Sequence, residues 1–308
     1  MFEEEPITQI RNMVVKNFYF NKSFSYFKKM EELLDLELVQ DISSIDPKKV
    51  LDLTSNNKKA IVKIDTMFFP FLFQNLSCIS LFYSRIKNRK VKLYIYEIRK
   101  IDKKEQAEWA KLKDFFIEYL LSLEVEFEFL EKDKFEAIKI NNFYQLEEAF
   151  SPIGVRSLGY RVNNHFTKSD LPPFRKAFVA RQKHLVQRID DDKTLQDFFV
   201  AAGFEVIYPE NFKTFTDQIN YFSECRVIAG ISGSGLANNV FMKPGGSVIE
   251  LLSIFDVPTN EEYPIEIHSF YRIMASVMGH LYFSVSNLSG KTLAFEKNKK
   301  ALDIIKVL

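Results

Sequence analysis

The sequence predicts an α/β protein of two lobes, each built on a parallel sheet. Apolar runs of strand length alternate with amphipathic helical segments along both halves of the chain, which is typical of strands joined by crossover helices. With 308 residues the chain exceeds the usual size of one hydrophobic core, and an apolar share of 46% is enough to fill two. Ligands are therefore expected at the carboxyl ends of the strands.

The amino-terminal half begins its regular alternation at residue 59. The predicted elements are a strand at 59–64, a buried helix at 69–84, a strand at 91–98, an amphipathic helix around 112–123, and short strands at 126–130 and 135–140. The second helix has apolar residues at 112, 115, 116, 119, 120 and 123, a spacing that predicts one core face. Residues 141–173 lack periodicity and end in Leu171-Pro172-Pro173, which predicts the connection between the lobes.

The uncharged segment from Thr66 to Ser84 raises the question of a membrane span. Pro70, Gln74 and several serines make it too polar to cross a bilayer, so a buried helix is the prediction. The basic residues that follow it are Arg85, Lys87, Arg89, Lys90 and Lys92. They indicate either a contact with anionic lipid or a solvated surface with balancing acids nearby.

The carboxy-terminal half repeats the alternation. Leu195, Phe198, Phe199 and Ala202 predict one helix face that Gly203 ends, and Asp190-Asp191-Asp192 is interpreted as an acidic helix entry rather than a metal cluster. The later elements are predicted as a strand at 204–208, a helix capped by Thr216, strands at 226–229 and 247–252, a helix at 271–278, a strand at 281–285 and a closing helix at 293–308.

A glycine-rich turn, Gly230-Ile231-Ser232-Gly233-Ser234-Gly235-Leu236-Ala237-Asn238, separates two of these strands. Its glycines permit a sharp turn with N–H groups facing outward, and a short helix is predicted from Leu236 to Met242. A helix start behind such a turn binds anions, and Glu250 near the end of the next strand can accept hydrogen bonds from a ribose. The combination indicates a nucleotide or nucleotide-sugar diphosphate. The spacing alone also fits a structural turn with Glu250 solvated at the strand end.

A set of motifs around this turn recurs, in the same order, in one known family. The motifs are Phe178-Val179-Ala180-Arg181, Gly203 to Glu210, Gln218 to Ser223, Val227 to Gly230, Gly233 to Met242, Pro244-Gly245 and Val248-Ile249-Glu250. Together they resemble glycosyltransferase family 61. The resemblance implies two Rossmann-like lobes in the GT-B arrangement, a nucleotide-sugar donor, and no metal or other cofactor. It divides the chain into an acceptor-side lobe at 1–165, a donor-side lobe at 166–290, and a helix at 291–308 packing back on the first lobe.

The resemblance also implies a donor site. Arg181 matches the family arginine and is expected on the donor phosphates, where a cation stabilises the leaving group. Neighbouring candidates for the same role are Gln182, Lys183 and Arg188. The residues expected under the diphosphate are Ser232, Gly233, Ser234, Gly235, Leu236 and Asn238. Glu250 is expected on the ribose.

The general base that removes the acceptor proton is predicted to be Asp65 or His165. Asp65 ends a predicted strand and could instead cap the helix that follows. His165 lies in the predicted connection between the lobes. The remaining histidines, His184, His268 and His280, lack metal or triad spacing and are expected at the surface or satisfied in the core.

Two positions depart from the family. Ser232 stands where the family has a histidine before the first glycine, and Pro70 stands where a second histidine follows Phe68-Phe69. Serine can donate a hydrogen bond to phosphate but carries no positive charge. We predict an inverting, metal-independent hexosyl- or pentosyltransferase of surface-polysaccharide synthesis, such as capsule, with a glycan or lipid-linked saccharide as acceptor. The alternatives are a catalytically silent nucleotide-sugar-binding scaffold of the same fold, and a different α/β nucleotide-binding enzyme.

Charge and cysteine content bear on the partners and the compartment. A formal net charge of +1 argues against a general nucleic-acid binder. Cys78 and Cys225 lie in apolar segments without metal-ligand spacing, which indicates a reducing compartment. The acidic start Met1-Phe2-Glu3-Glu4-Glu5 differs from a secretory signal. A cytoplasmic protein is expected, with peripheral contact at the inner face of the membrane if its acceptor is lipid-linked.

Overall fold

A computed structural model describes residues 48, 50–53, 59–64, 68, 71–88, 90–97, 106–130, 137–140, 143–145, 152–169, 171–180, 192–252, 266–286 and 305. The chain divides into two compact units. The first comprises Met1–Trp109 with Phe116–Ser151, and the second comprises Ala110–Phe115 with Pro152–Leu308. The boundaries at 165 and 290, and the acceptor and donor roles of the lobes, remain predictions.

The described part of the first unit contains two parallel sheets. The strands are β1 Val50–Leu53, β2 Lys59–Ile64, β3 Lys92–Glu97, β4 Phe127–Phe129, β5 Ala137–Ile140 and β6 Phe143–Gln145. The larger sheet has the order β4-β3-β2-β6, and β1 pairs with β5. The predicted strand at 59–64 is confirmed as β2. Because β3 flanks β2 on one side and β6 on the other, the strand order reverses at β2.

The helical segments between the strands of this unit are a π-helical turn at Phe71–Leu76, which continues into α1 Ser77–Asn88, and α2 Gln106–Ser122, of which Ala110–Phe115 belong to the second unit. All six apolar positions predicted for the core are buried, with exposed fractions of 2% or less. The Phe71 ring packs edge-on against Trp109 and Phe116, at centroid distances of 5.8 and 5.6 Å. Most of the described residues of the uncharged segment are thus part of a core. Across the described residues, no helix combines the length and apolarity that a membrane span requires.

Two lysines of the basic segment after α1 form ion pairs. Lys87 Nζ lies 2.6 Å from Glu124 Oε2, and Lys92 Nζ lies 2.7 Å from Glu128 Oε2. Both pairs are accessible to solvent, which screens the two charges, so neither pair contributes much to stability. For these two lysines, the interpretation as a surface with balancing acids is confirmed.

The second unit is built on a five-stranded parallel sheet in the order β11-β10-β9-β7-β8. Its strands are β7 Arg175–Val179, β8 Glu205–Ile207, β9 Cys225–Ile231, β10 Ser247–Leu252 and β11 Leu281–Ser286. Its helices are α3 Pro152–Phe166, α4 Asp192–Ala201, α5 Phe215–Ser223 and α6 Glu266–Met278, with 3-10 helices at Pro209–Asn211 and Ser234–Phe241. The predicted strand at 247–252 is confirmed, and the strands predicted at 204–208, 226–229 and 281–285 are found with shifted ends.

The strand order of this sheet reverses at β7. The chain runs from β7 outward to β8, then returns to the other side of β7 to form β9, β10 and β11 in succession. The connection that follows β7 therefore leads to β8 at one edge of the sheet, and the connection that follows β9 leads the opposite way, to β10. In parallel α/β sheets such a reversal opens a crevice in which ligands bind.

One face of this sheet carries an aromatic and aliphatic core. Phe178 of β7 stacks on Phe199 of α4 at a centroid distance of 4.4 Å, and Phe204 meets Phe199 edge-on. The buried members on this face include Leu195, Val227, Ala229, Ile231, Ile249, Leu251 and Val285. Gly203, at φ 81°, ends α4 as predicted, because a positive φ suits glycine.

Two predictions for this unit are wrong. Residues 152–166, expected in an irregular connection, form helix α3, whose Val155, Leu158 and Val162 are fully buried. The cap of α5 is Thr214 rather than Thr216: the Thr214 hydroxyl accepts from the Asp217 N–H, and the Asp217 carboxylate accepts from the Thr214 N–H. The closing helix at 293–308 lies outside the described residues, apart from Ile305.

Candidate functional site

The glycine turn begins at the carboxyl end of β9. The Ser232 N–H donates to the Leu251 carbonyl at 2.9 Å, so the pairing of β9 with β10 extends one residue past the strand. Gly233 then takes φ 155° and ψ 175°, a conformation that only glycine adopts readily. Its carbonyl accepts from the Leu236 N–H at 3.0 Å and opens the 3-10 helix Ser234–Phe241. The predicted strand, turn and short helix are confirmed, with a 3-10 rather than an α conformation.

The turn lies directly on the end of β7. A Cβ at Gly235 would come within 2.7 Å of Val179 Cγ1, and a Cβ at Gly230 would lie 3.1 Å from the Val179 carbonyl oxygen. Val179 is the last residue of β7. Close approach therefore strongly disfavours a side chain at Gly235 and leaves little room for one at Gly230, and the turn packs at the point where the strand order reverses.

A buried amide pair fixes the shape of the turn from inside. The Asn238 amide donates to the Gly235 carbonyl at 2.8 Å, and its Oδ1 accepts from Gln218 Nε2 of α5 at 2.6 Å. Asn238 and Leu236 are fully buried, backbone atoms included, so these two residues shape the turn from inside. Residues 232–235 are the part of the turn that reaches solvent.

Glu250 lies in the row of side chains that crosses the sheet beside the turn. Val179, Gly230, Glu250 and Ser284 are register partners on β7, β9, β10 and β11, so they share one face of the sheet. Glu250 is 0% exposed, and its Oε2 accepts from the Tyr282 hydroxyl at 2.5 Å. Burial and the charge of Glu250 raise the pKa of Tyr282. The alternative interpretation, an acid solvated at the strand end, is wrong.

A second polar pair lies at the other end of the 3-10 helix. His280 is buried, and its Nε2 donates to the Asn239 carbonyl at 3.1 Å, while the Asn239 amide donates to the Leu236 carbonyl at 2.8 Å. Burial lowers the pKa of His280, which keeps its ring neutral at pH 7. His280 is thus a core histidine with a hydrogen bond, as expected.

Comparison with known families identifies the protein's class. The family model described as Glycosyltransferase 61 matches residues 67–249, more than half of the chain. The chain belongs to glycosyltransferase family 61. The match contains the whole glycine turn and ends one residue before Glu250. No curated protein matches the chain. Membership of family 61 supports glycosyl transfer as the general activity, and transfer implies a donor and an acceptor as substrates.

Of the remaining predicted site residues of this family 61 protein, His165 is among the described residues and the others are not. Asp65 and the segment with Arg181, Gln182, Lys183 and Arg188 lie outside the described residues. Arg181 follows Ala180, whose N–H donates to the Ile207 carbonyl at 2.9 Å just past the end of β7. His165 is exposed in the last turn of α3 rather than in an irregular connection.

The described part of the family 61 chain contains no group of three or more His, Cys, Asp or Glu that could hold a metal ion.

Sequence reasoning missed Gln218 and Tyr282 as parts of the site. Gln218 stands inside a family motif, and that position was its signal. Tyr282 had none, because its link with Glu250 depends on the pairing of β10 with β11.

Proposed function

We propose that this family 61 protein transfers a sugar from a nucleotide-sugar donor to a hydroxyl of a glycan or lipid-linked saccharide, with inversion and without a metal. The match to the family over residues 67–249 carries the proposal. A metal-free transferase must stabilise the diphosphate leaving group with cations and N–H groups, and must take the proton of the acceptor hydroxyl.

The donor diphosphate is proposed to lie over residues 232–235. This position is supported by the strand-order reversal between β7 and β9, and by the first N–H groups of the 3-10 helix, which have no acceptor inside the helix. In the sequence, Arg181 directly follows Ala180, just past the carboxyl end of β7, which supports its proposed phosphate contact. Gln182, Lys183 and Arg188 follow Arg181 in the sequence. Glu250 is proposed to serve the ribose; because its carboxylate is fully buried in this structure, the proposal includes an opening of the site around Glu250 when the donor binds.

Replacing Arg181 with alanine tests the cationic part of this site. Loss of one charge-assisted contact costs about 1.5–3 kcal/mol, so the affinity for a nucleoside diphosphate should fall at least about tenfold while the melting temperature stays constant. Arg226→Ala is the matched control, since Arg226 is exposed near the amino end of β9. Equal affinities of Arg181→Ala and Arg226→Ala would remove Arg181 from the site.

Asp65 is proposed as the general base, with His165 as the alternative. In the sequence, Asp65 directly follows β2, the strand at which the order of the first sheet reverses, and ligands of parallel α/β sheets bind near such reversals. Asp65→Asn should abolish transfer and leave donor binding unchanged. Loss of transfer in His165→Gln alone would assign the base to His165 instead.

We further propose the GT-B arrangement, with the donor on the second unit, and a role in surface-polysaccharide synthesis at the cytoplasmic face of the membrane. Any lipid contact by the basic segment depends mainly on residues other than Lys87 and Lys92, because these two pair with Glu124 and Glu128. Binding to vesicles with and without anionic lipid measures that contact.

The second candidate function is a silent nucleotide-sugar-binding protein, which the serine at position 232 favours. Thermal stabilisation by a panel of nucleoside diphosphates and nucleotide sugars, with and without chelator, separates the cases when combined with an assay of diphosphate release. A ligand at 100 times its Kd adds about 2.7 kcal/mol of stability. Metal-independent stabilisation with release supports the transferase, and stabilisation without release supports the silent protein. No stabilisation by any nucleotide would contradict both.

A further inference from the structure

We infer that Tyr282 is a positioning residue: its hydroxyl orients the Glu250 carboxylate and thereby sets the preference of the donor site for a ribose over a deoxyribose. The inference rests on the proposed function, because it assumes that Glu250 serves the ribose of a nucleotide donor. It adds a residue from β11, a strand beyond the end of the family match at residue 249.

The register of β10 and β11 places Tyr282 below Glu250. Tyr282 pairs with Val248 and Ser284 pairs with Glu250, so Tyr282 lies one row nearer the amino ends of the strands, on the same face. Its hydroxyl reaches up to Glu250 Oε2 at 2.5 Å. The carboxylate is therefore held from the side opposite the carboxyl edge of the sheet, where a nucleotide would arrive.

Burial makes this hydrogen bond consequential. A fully buried carboxylate is costly unless hydrogen bonds compensate its lost hydration, and Tyr282 supplies a short one. The raised pKa of Tyr282, caused first by burial and then by the charge of Glu250, keeps the hydroxyl protonated as a donor throughout the neutral range.

The functional consequence follows from the geometry of a carboxylate. A ribose diol donates hydrogen bonds in defined directions, and the acceptor lone pairs meet them only if the carboxylate plane is fixed. Without the Tyr282 hydroxyl, the Glu250 side chain can turn about its terminal torsions. Contacts with the phosphates at residues 232–235 do not depend on this torsion.

The test compares the best-binding nucleoside diphosphate of the panel with its 2′-deoxy and 3′-deoxy forms, by calorimetric titration. The wild-type protein should prefer the ribose form by about tenfold or more, the value of one hydrogen bond to a charged group. Tyr282→Phe should reduce the preference to less than about threefold, with little change in affinity for the deoxy forms. Tyr221→Phe is the matched control, since it removes a tyrosine-to-glutamate hydrogen bond of 3.0 Å, to Glu205, near the amino ends of the strands.

Glu250→Gln provides a second variant if Tyr282→Phe does not fold, because the amide oxygen still accepts from Tyr282. It should lose the ribose preference as well. A wild-type preference that survives in Tyr282→Phe overturns the inference and leaves the proposed donor site intact. A preference that survives in Glu250→Gln overturns the inference and also removes Glu250 from the ribose, while the proposed phosphate contacts at residues 232–235 stand. A wild-type protein that binds no nucleotide overturns the proposed function, and the inference falls with it.

Discussion

Gly235→Ala tests whether the glycine turn packs on the end of β7 as the structure describes. The new Cβ would lie 2.7 Å from Val179 Cγ1 and 3.7 Å from Val179 Cβ. Carbon atoms in contact prefer about 3.5–4.0 Å, so the first distance is a clash of almost 1 Å. Overpacking of this kind costs about 1–3 kcal/mol. We expect that loss in the free energy of unfolding from urea denaturation, together with weaker nucleotide binding.

A second substitution that removes the clashing Val179 atom should restore the stability lost in Gly235→Ala. Val179→Ala removes Cγ1, and alone it should cost about 1.6 kcal/mol or more for the two buried carbons and the cavity they leave. The double variant Gly235→Ala with Val179→Ala should be no less stable than Val179→Ala, a coupling of about 1–3 kcal/mol. Gly246→Ala is the control, because its Cβ would meet Met242 and the Arg226 carbonyl instead, and Val179→Ala should not rescue it.

Additive losses would refute this packing. If the double variant loses the sum of the two single costs, within the roughly 0.3–0.5 kcal/mol typical of independent sites, the turn does not touch Val179. The close approach of the turn to the strand-order reversal would then be wrong, and the donor site would lose its structural support.

Three further predictions concern the stability and the buried thiols of the chain. The free energy of unfolding should decrease as pH falls from 6.5 toward the lowered folded-state pKa of His280, because His280 binds a proton more readily in the unfolded chain than in the folded one. The His280→Gln variant should lose this pH dependence in a series of urea denaturations at different pH values. Thr214→Ala should cost about 1 kcal/mol in the same assay and Thr216→Ala less, with nucleotide affinity unchanged; the reverse order would contradict the assigned cap. Cys225, whose pKa burial raises, and the buried Cys78 should react with a maleimide only after denaturation, and labelling of the native protein would contradict their burial.

Local sequence patterns predicted most of the strands and the buried helix face, but they missed β1 and β6, and β6 lies in the segment 141–173 that was expected to be an irregular connection. β2 and β10 occupy the predicted residues because runs such as Ser247–Leu252 are bounded by turn residues and buried on both faces. The apolar positions of α2 recur at helical spacing, and that spacing directly records which side faces the core. These features depend on interactions between residues close in sequence.

Helix α3 was missed because tertiary packing shapes its sequence. Gly159 lies in the helix interior, where glycine normally weakens a helix, and Ile153 and Tyr160 are exposed at 65% and 70%. The glycine is needed because a Cβ there would lie 2.8 Å from the Val240 carbonyl oxygen and would also meet Met278 of α6. The apolar residues outside the core blurred the helical pattern. Neither neighbour can be inferred from the local sequence.

The candidate site divides in the same way. The glycines and Glu250 stand out in the sequence because the turn is short and local. The roles of Gln218 and Tyr282 depend on which helix and which strand lie beside the turn. That arrangement cannot be inferred from the residues near the turn in the sequence. The Thr214 cap was recoverable, since Asp217 three residues later forms the capping-box pattern.

Titration of a nucleoside diphosphate against Ser234→Pro tests the central claim most directly, namely that the donor diphosphate binds the backbone N–H groups of the turn. Ser234 is the first residue of the 3-10 helix, where proline fits the backbone and removes a single N–H. The account predicts at least about a tenfold loss of affinity in Ser234→Pro and little change in Ser234→Ala, which removes only the hydroxyl. Equal, undiminished affinity in both variants would contradict it.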